Sequence, residues 1–473
     1  MIESLSYKCY NLKQSSIKIF EAFKDKPYCF FLDSSLNMPH LGRFSFMGFD
    51  PFFILKTKNK RPFEQLRQLL KKYSYQNCNA AVPFLGGAVG YFAYDLGFLI
   101  ERIESYAKDD LNLPDCFLGF YDCTITIDHL KNKLYIFSTG LPETKGYFAK
   151  KRARHRLKEV LNILSKANLK ENHCLEPKTS NVFKEKLEHL QDFHSNFSKA
   201  KYLLAVKKAL NYIAKGDIYQ VNLSQRFSVD SQNFKRKKSD LGFDLYRQLR
   251  SISPSTFSGY MDCADFKIIS SSPERFLRLK GMKVETRPMK GTRPRGKNYK
   301  QDYKLRNELL KSAKDKAELL MITDLERNDL GKVCSYGSVK VKNIRRIEEY
   351  SSVFQATSLV EGRLHKDKDC VDLIKGCFPG GSITGCPKIR SMEIIEELEP
   401  TKRSIYTGSL GYISFNQNMD LNILIRTLLL KGDKIYFQVG GGIVADSKPE
   451  SEYEETLVKA QAMVKAINTL RRQ

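Results

Sequence analysis

The chain has 473 residues, 42% of them hydrophobic and 11% aromatic, which is enough to bury a large core as one oversized domain or two to three ordinary ones. Seventy-nine Lys+Arg against 53 Asp+Glu leave a formal charge of +26, a balance that would suit nucleic acid, an acidic membrane surface or an anionic substrate. The excess sits in short clusters such as Lys150 to Arg156 and Lys235 to Lys238, without an arginine-rich tail, so it reads as a solvated lysine-rich surface and nucleic acid is not an expected partner.

Eleven cysteines form an odd set without a C-x-x-C pair, and no charged-then-apolar leader opens the chain. A reducing cytoplasm is expected, and zinc is not. Ala80 to Ile100 carries one charge, Asp95, and is long enough to span a bilayer, but Pro83, Gly86, Gly87, Gly90 and Gly97 predict buried strands and no membrane contact.

Further along, Cys123 to Ile127 and Lys133 to Ser138 alternate like strands. Residues 165–196 turn polar, which predicts a linker between an N-terminal region, 1–164, and a larger C-terminal domain, 197–473. Ser198 is placed to cap a helix with Tyr202, Val206, Leu210 and Ile213 inward, ending at Gly216. Lys267 to Ser271 and Arg275 to Leu279 read as strands, and Asp302 to Met321 as a second helix with Leu309, Ala313, Ala317 and Leu320 on one stripe. Pro387 predicts the first turn of a third helix with Ile389, Met392, Ile395 and Leu398 inward, stopped by Pro400. Strand signals follow at Ile405 to Phe415 and Lys434 to Val439, then a last helix from Glu452 to Leu470. Strands and helices do not alternate one to one, so the expected fold is α+β with large, mainly antiparallel sheets.

The chemistry concentrates in the C-terminal part. Lys290, in Arg287-Pro288-Met289-Lys290-Gly291-Thr292-Arg293-Pro294, can be a nucleophile if desolvation or a neighbouring cation such as Arg287 or Arg293 lowers its pKa. Glu274, in Ser272-Pro273-Glu274-Arg275, offers the acid that displacement of a hydroxyl requires. Glu318 lies among apolar neighbours, and Glu452 and Glu455 share a helical face. Three such carboxylates suit Mg²⁺, though a Glu-x-x-Glu pair serves equally as a solvated first turn. Phe378 to Gly385 leads into the Pro387 helix, so its amides, Thr384 and Lys388 predict an anion site. Gly440-Gly441-Gly442 offers a second close approach of main chain to ligand, and Arg426, inside an apolar segment, needs a carboxylate from substrate or from a structural salt bridge.

Several ordered motifs carry a resemblance. Gly42-Arg43-Phe44-Ser45-Phe46-Met47-Gly48 and Phe84 to Tyr91 match weakly, whereas Gly216 to Leu223, Asp324-Leu325-Glu326-Arg327-Asn328-Asp329, Gly380 to Arg390, Ile405 to Tyr412 and Gly440 to Thr456 match densely. Over nearly its whole length the chain resembles the chorismate-utilising enzymes that include component I of aminodeoxychorismate synthase and of anthranilate synthase. The resemblance implies a two-sheet β-sandwich core with helices outside, chorismate as substrate and Mg²⁺ as cofactor. It implies Glu318 and Glu455 as metal ligands with Glu452 as ligand or supporting carboxylate. Arg426 and Tyr406 would hold a substrate carboxylate, and Thr384, Lys388 and the amides of Gly440, Gly441 and Gly442 would line the pocket.

Lysine at position 290 is the mark of the aminodeoxychorismate branch, where the anthranilate branch normally has alanine. The expected activity is amination of chorismate to 4-amino-4-deoxychorismate for p-aminobenzoate and folate synthesis, with ammonia from a separate glutaminase subunit, component II. Anthranilate synthase, an isochorismate or salicylate synthase and, more remotely, a basic nucleic-acid-binding protein are the rival readings. Ser34, in Leu32-Asp33-Ser34-Ser35, with Arg43 and Ser45, resembles an effector pocket that binds tryptophan in anthranilate synthases. One departure stands out: Gln355 occupies the place of a family histidine, and an amide can donate a hydrogen bond but cannot carry a proton.

Overall fold

Period-two runs of aromatic and β-branched residues place one side chain in two on each face of a strand. In the computed structural model, which describes residues 5–36, 38, 41–75, 82–167, 192–232, 234, 238–350 and 353–472, these runs build two large antiparallel sheets. The first orders its strands 6–11, 133–138, 123–128, 44–48, 30–33, 257–262, 266–272, 427–431, 434–443, 220–230 and 385–386. The second runs 289–294, 353–363, 283–286, 275–280, 419–422, 409–414, 87–92, 116–121 and 53–57. Strand 30–33 pairs with 257–262, and 87–92 with 409–414, so both parts of the chain are woven into both sheets. The expected division at 164/197 therefore does not separate two sheets. Most of the expected linker lies outside the described residues, and Ser165 still belongs to helix Gly146–Lys166.

Between the sheets lies an aromatic-rich core, with Phe30, Phe46, Met261 and Ile268 of one sheet against Val89, Tyr91, Phe117 and Leu410 of the other. Helices cover the outer faces: Lys238–Ile252 and Pro449–Arg471 on the first sheet, Phe63–Lys72 and Cys370–Cys377 on the second. The apolar segment 80–100 becomes strand Gly87–Phe92 and helix Leu96–Glu101, and no helix among the described residues is long and apolar enough to cross a membrane.

Two helix readings need correction. Asp302 to Met321 is not one helix but two, Tyr299–Lys311 and Ala313–Gly331, because the Ser312 hydroxyl accepts from the Asp315 amide and caps a new start. The break resets the phase, so Leu319, Ile322 and Leu330 face inward while Ala313 and Ala317 are exposed and Leu320 is 53% exposed. In helix Lys388–Leu398, Met392, Ile395 and Leu398 are buried as expected, but Ile389 is 46% exposed. Gly440 to Gly442 do not form a turn either, since strand Lys434–Ile443 runs straight through them, paired with 220–230.

The loop 378–387 is tied to the first sheet by one buried cation. Arg403 donates to both Glu399 oxygens, at 2.9 and 2.7 Å, and to the Ile383 carbonyl at 3.0 Å, with its guanidinium over the Tyr94 ring. Removing one member of a buried, fully bonded pair strands the other charge, which costs about 3–5 kcal/mol. Arg403→Ala is therefore expected to lower unfolding free energy by that amount, and a urea titration showing a change under about 1 kcal/mol would refute the role given to this pair.

Candidate active site

Strand Met289–Pro294 carries Lys290 through an irregularity in its ladder. Met289 faces Thr357 and Thr292 faces Gln355, so one extra residue is accommodated between them, and Gly291 adopts φ +82° there. Such a bulge re-aims a side chain out of the strand's alternation. A Cβ on Gly291 would meet Asp315 and Leu309 atoms at 2.9 Å, so glycine is required by space as well as by backbone.

The redirected amine ends opposite the glycine-rich strand. A Cβ on Gly442 would lie 3.2 Å from both Lys290 Nζ and Gln220 Nε2, and one on Gly441 would lie 3.1 Å from Glu452 Oε2 and 3.5 Å from Glu455 Oε1. Gly441 and Gly442 are thus the floor across which lysine and carboxylates face one another. Lys290 has no hydrogen-bond or ion-pair partner among the described residues. Its pKa is lowered, first by burial and then by the charge of Lys459, against the raising fields of Glu318, Glu274 and Glu455. Arg287 and Arg293 do not supply that cationic field, because Arg287 pairs with Glu348 and Arg293 donates to Asp315 at 3.0 Å.

Glu274 is 4% exposed, and burial pushes its carboxyl up to about 7 against the opposing pull of Ser382, Lys290, the Met289 amide and Arg426. The Ser382 hydroxyl is buried beside that carboxyl but makes no well-formed hydrogen bond among the described residues. Behind it lies a second acid. Thr286 Oγ1 is 2.7 Å from both the Phe276 carbonyl and Glu326 Oε2. One hydroxyl proton cannot serve two acceptors, so with the proton on the Phe276 side Glu326 carries its own. Burial, the first cause, and the charges of Glu274 and Asp329 raise the Glu326 pKa in agreement.

Arg426 resolves the choice left open by the sequence. It has φ +51° and no hydrogen-bond or ion-pair partner for its guanidinium among the described residues, so it is not a structural salt bridge there. Burial lowers its pKa, with Tyr350 and Glu274 acting the other way. Tyr406 lies under Arg403 and beside Asn222, and Thr384 donates to the Gly380 carbonyl at 3.0 Å within its own loop. Lys388 is turned away from an anion site: its amine is buried between Asp329 and the Cys377 carbonyl, the latter at 2.9 Å.

Glu318, Glu452 and Glu455 face the same region but are held by other partners. Ser447 donates to Glu452 at 2.6 Å, Lys459 lies 2.7 Å from Glu455, and Lys314 lies 3.9 Å from Glu318. Among the described residues no group of three or more His, Cys, Asp or Glu is gathered closely enough to hold a metal ion. The donor set nevertheless fits a hard divalent cation, being all oxygen, with Glu452 and Glu455 bracketing Gly441. Lys459 depresses the Glu455 pKa, whereas burial, then the Glu455 charge, raises that of Glu452.

Ser34 and Arg43 line a separate cavity of about 530 Å³, which also reaches Arg275 and Arg278. Ser45 accepts from the Ser34 amide at 3.0 Å and donates to Asp33, and Arg43 is bidentate to Asp128 at 2.9 and 2.7 Å. Sequence reading missed Gln220, Ser382, Glu326, Lys314 and Lys459. Lys459, four residues after Glu455, and Lys314, four before Glu318, each had a local signal on one helix face.

With this geometry in view, the relationships to other proteins are clear. Residues 28–465 match the family of chorismate binding enzymes, and the chain belongs to that family. It is 38% identical to anthranilate synthase component 1 of Acetivibrio thermocellus over 98% of this chain and 94% of that protein. It is 36% identical to aminodeoxychorismate synthase component 1 of Bacillus subtilis (strain 168) over 90% of this chain and 89% of that one. The crystal structure of anthranilate synthase component I from Streptococcus pneumoniae TIGR4 superposes with a TM-score of 0.75 at 31% identity, covering 91% and 93% of the two chains. The α+β two-sheet fold expected from sequence is the fold of that structure.

The raised Glu274 pKa has a thermodynamic consequence. A carboxyl whose folded pKa is about 7 against an ordinary 4.5 favours the folded state below pH 4.5 and loses that advantage as pH rises through 7. Glu274→Gln, which cannot ionise, should gain stability relative to the parent by roughly 3 kcal/mol between pH 5 and pH 9. Thermal melts of both proteins across that range test it, and a constant difference would mean that Glu274 titrates normally.

Proposed function

We propose that this chorismate-binding enzyme aminates chorismate at carbon 4, as the component I of an aminodeoxychorismate synthase. The observation that carries the reading is the unpartnered, pKa-lowered Lys290 amine facing the same cleft as a Glu274 carboxyl whose pKa is raised to about 7. Lys290 attacks the ring carbon next to the one bearing the carboxylate, the double bonds shift, and the 4-hydroxyl leaves as water with the Glu274 proton. Ammonia then adds at carbon 4, the double bonds shift back, and Lys290 departs. Dividing one difficult displacement into two is the gain of covalent catalysis.

Arg426, with an unspent guanidinium, and Tyr406 would hold a substrate carboxylate. Thr384 and the amides of Gly440, Gly441 and Gly442 would bound the pocket. Lys388, tied to Asp329, would support the loop from behind and not touch substrate. Glu318, Glu455 and Glu452 would hold Mg²⁺, which when bound supplies positive charge to a dianionic substrate. Glu452, with its raised pKa, and Glu455, paired with Lys459, would each release a present partner to do so. Ammonia would come from a glutaminase subunit.

The second reading is anthranilate synthesis, favoured by relatives bearing that name at identities of 38% and 41%. Product analysis with chorismate, Mg²⁺ and ammonium separates the two: 4-amino-4-deoxychorismate supports the first and anthranilate the second. Lys290→Ala should abolish 4-amino-4-deoxychorismate formation, a loss of at least about a thousandfold, and retained full activity would remove the lysine from the mechanism. The rate should fall at low pH, where the Lys290 amine holds its proton, and at high pH, where Glu274 has lost its own. Mg²⁺ should raise the melting temperature of the parent, and Glu455→Gln should remove most of that rise, whereas equal stabilisation of both would exclude Glu455 as a ligand.

A further inference from the structure

A cavity of about 260 Å³ opens behind the proposed catalytic pair, lined by Arg275, Arg278, Arg287 and Arg346 with Glu285, Asn343, Thr357 and Ser358. Four guanidiniums in so small a space repel one another, and a purely structural ion-pair lattice would give each its own carboxylate. That is not what is found. Arg275 is bidentate to Asp420 at 2.9 and 3.0 Å, Arg278 donates to Glu285 at 3.1 Å, and Arg287 pairs with Glu348. Arg346 has no hydrogen-bond or ion-pair partner for its side chain among the described residues. Arg287, only 8% exposed, keeps its Nε unpartnered. Four cations thus meet three carboxylates, with free donors at the buried and at the exposed end of one cavity.

The charges register this crowding. Burial first, with Arg275 and Arg346 adding repulsion, brings the Arg287 guanidinium down to about 10. The volume lies below the ~300–1,000 Å³ usual for drug-sized ligands and suits a small ion. We propose that this cavity is a binding site for a small multivalent oxyanion, a phosphate or a compact polycarboxylate, held by Arg346 and Arg278 at its mouth and Arg287 at its base. Guanidinium forks match carboxylate and phosphate oxygens geometrically, which suits two adjacent donors to a single anion.

The placement gives the site its interest. Glu274 immediately precedes strand Arg275–Lys280, whose Arg275 and Arg278 line the cavity, and Arg287, also in its lining, precedes Lys290 by three residues. An anion here rests beside the segments that carry the proposed acid and nucleophile, in a cavity that Glu274, Lys290 and Arg426 do not line. The proposal does not depend on which product the enzyme makes.

Isothermal titration of the full chain with inorganic phosphate and, separately, with citrate, at constant ionic strength set by chloride, tests it. Saturable binding of one anion per chain is expected, weakened about tenfold or more by Arg346→Ala or Arg278→Gln and unchanged by Arg426→Ala. Arg346 is exposed, so its removal leaves the fold intact. Binding of phosphate alone, or of citrate alone, supports the site and names its ligand class. Absence of saturable binding by either anion, indifference to Arg346→Ala and Arg278→Gln, or loss of binding in Arg426→Ala would each overturn it.

Discussion

The arrangement around Lys290 depends on keeping an amine dry. An ammonium ion has an ordinary pKa near 10.4, so at neutral pH a lysine is a nucleophile only where burial and a neighbouring cation outweigh the carboxylates that would hold its proton. Here burial, with Lys459, outweighs the opposing fields of Glu318, Glu274 and Glu455, and the pKa is lowered. The balance is geometric. The bulge at Lys290 and Gly291 lifts the side chain out of the strand's alternation, and the side-chain-free floor at Gly441 and Gly442 leaves room for it between the sheets' ends. Any Cβ on that floor would press on the lysine or on the carboxylates, which ties the glycine run to the chemistry more tightly than a turn would.

Around this centre the fold separates two kinds of buried charge. Arg403 with Glu399 and Lys388 with Asp329 are closed pairs, each cation also satisfied by main-chain carbonyls, and they pin the loop 378–387 and the helix after it. Arg426, Lys290 and Gln220 are open, with polar atoms that no described group satisfies. Buried polar groups are nearly always bonded, so a cluster of unbonded ones, all facing one cleft, marks where a polar ligand completes the structure. Lys388 and Arg426 look equivalent as lone cations in apolar sequence, and only their partners tell them apart.

That contrast shows what the sequence could and could not convey. The strands and their alternation, the Ser198 cap and the last helix were legible because local pattern and final fold agree. Ser312 was not, because a helix stripe read through Leu309, Ala313 and Ala317 ignores a cap that restarts the phase. Glycine signals both chain reversal and close approach, and only the partner strand 220–230 shows that Gly440 to Gly442 serve the second. At the site, Lys290, Glu274 and Arg426 stood out individually, whereas Gln220, Ser382 and Glu326 join them only when separate elements meet. The family resemblance joined the motifs, and the pairing of sheets at 30–33 and 87–92 explains why the weakly matching N-terminal part belongs to the same body.

Gln355 fits this picture of the protons. It is 4% exposed on the strand facing Lys290, with Oε1 unpartnered among the described residues, and it cannot exchange a proton as a histidine would. The proton inventory near the cleft therefore rests on carboxyl groups. Glu274 titrates near neutrality, and burial raises the pKa of Glu326, which lies one hydroxyl, that of Thr286, away from strand 275–280. A carboxylic acid that gives up its proton becomes an anion attracted to Lys290 and Arg426, whereas an imidazolium would repel them before donation and become only neutral after it. In a cleft already crowded with lysine and arginine, an acid that turns negative on donation is electrostatically the better choice, and a neutral amide at position 355 adds no further positive charge.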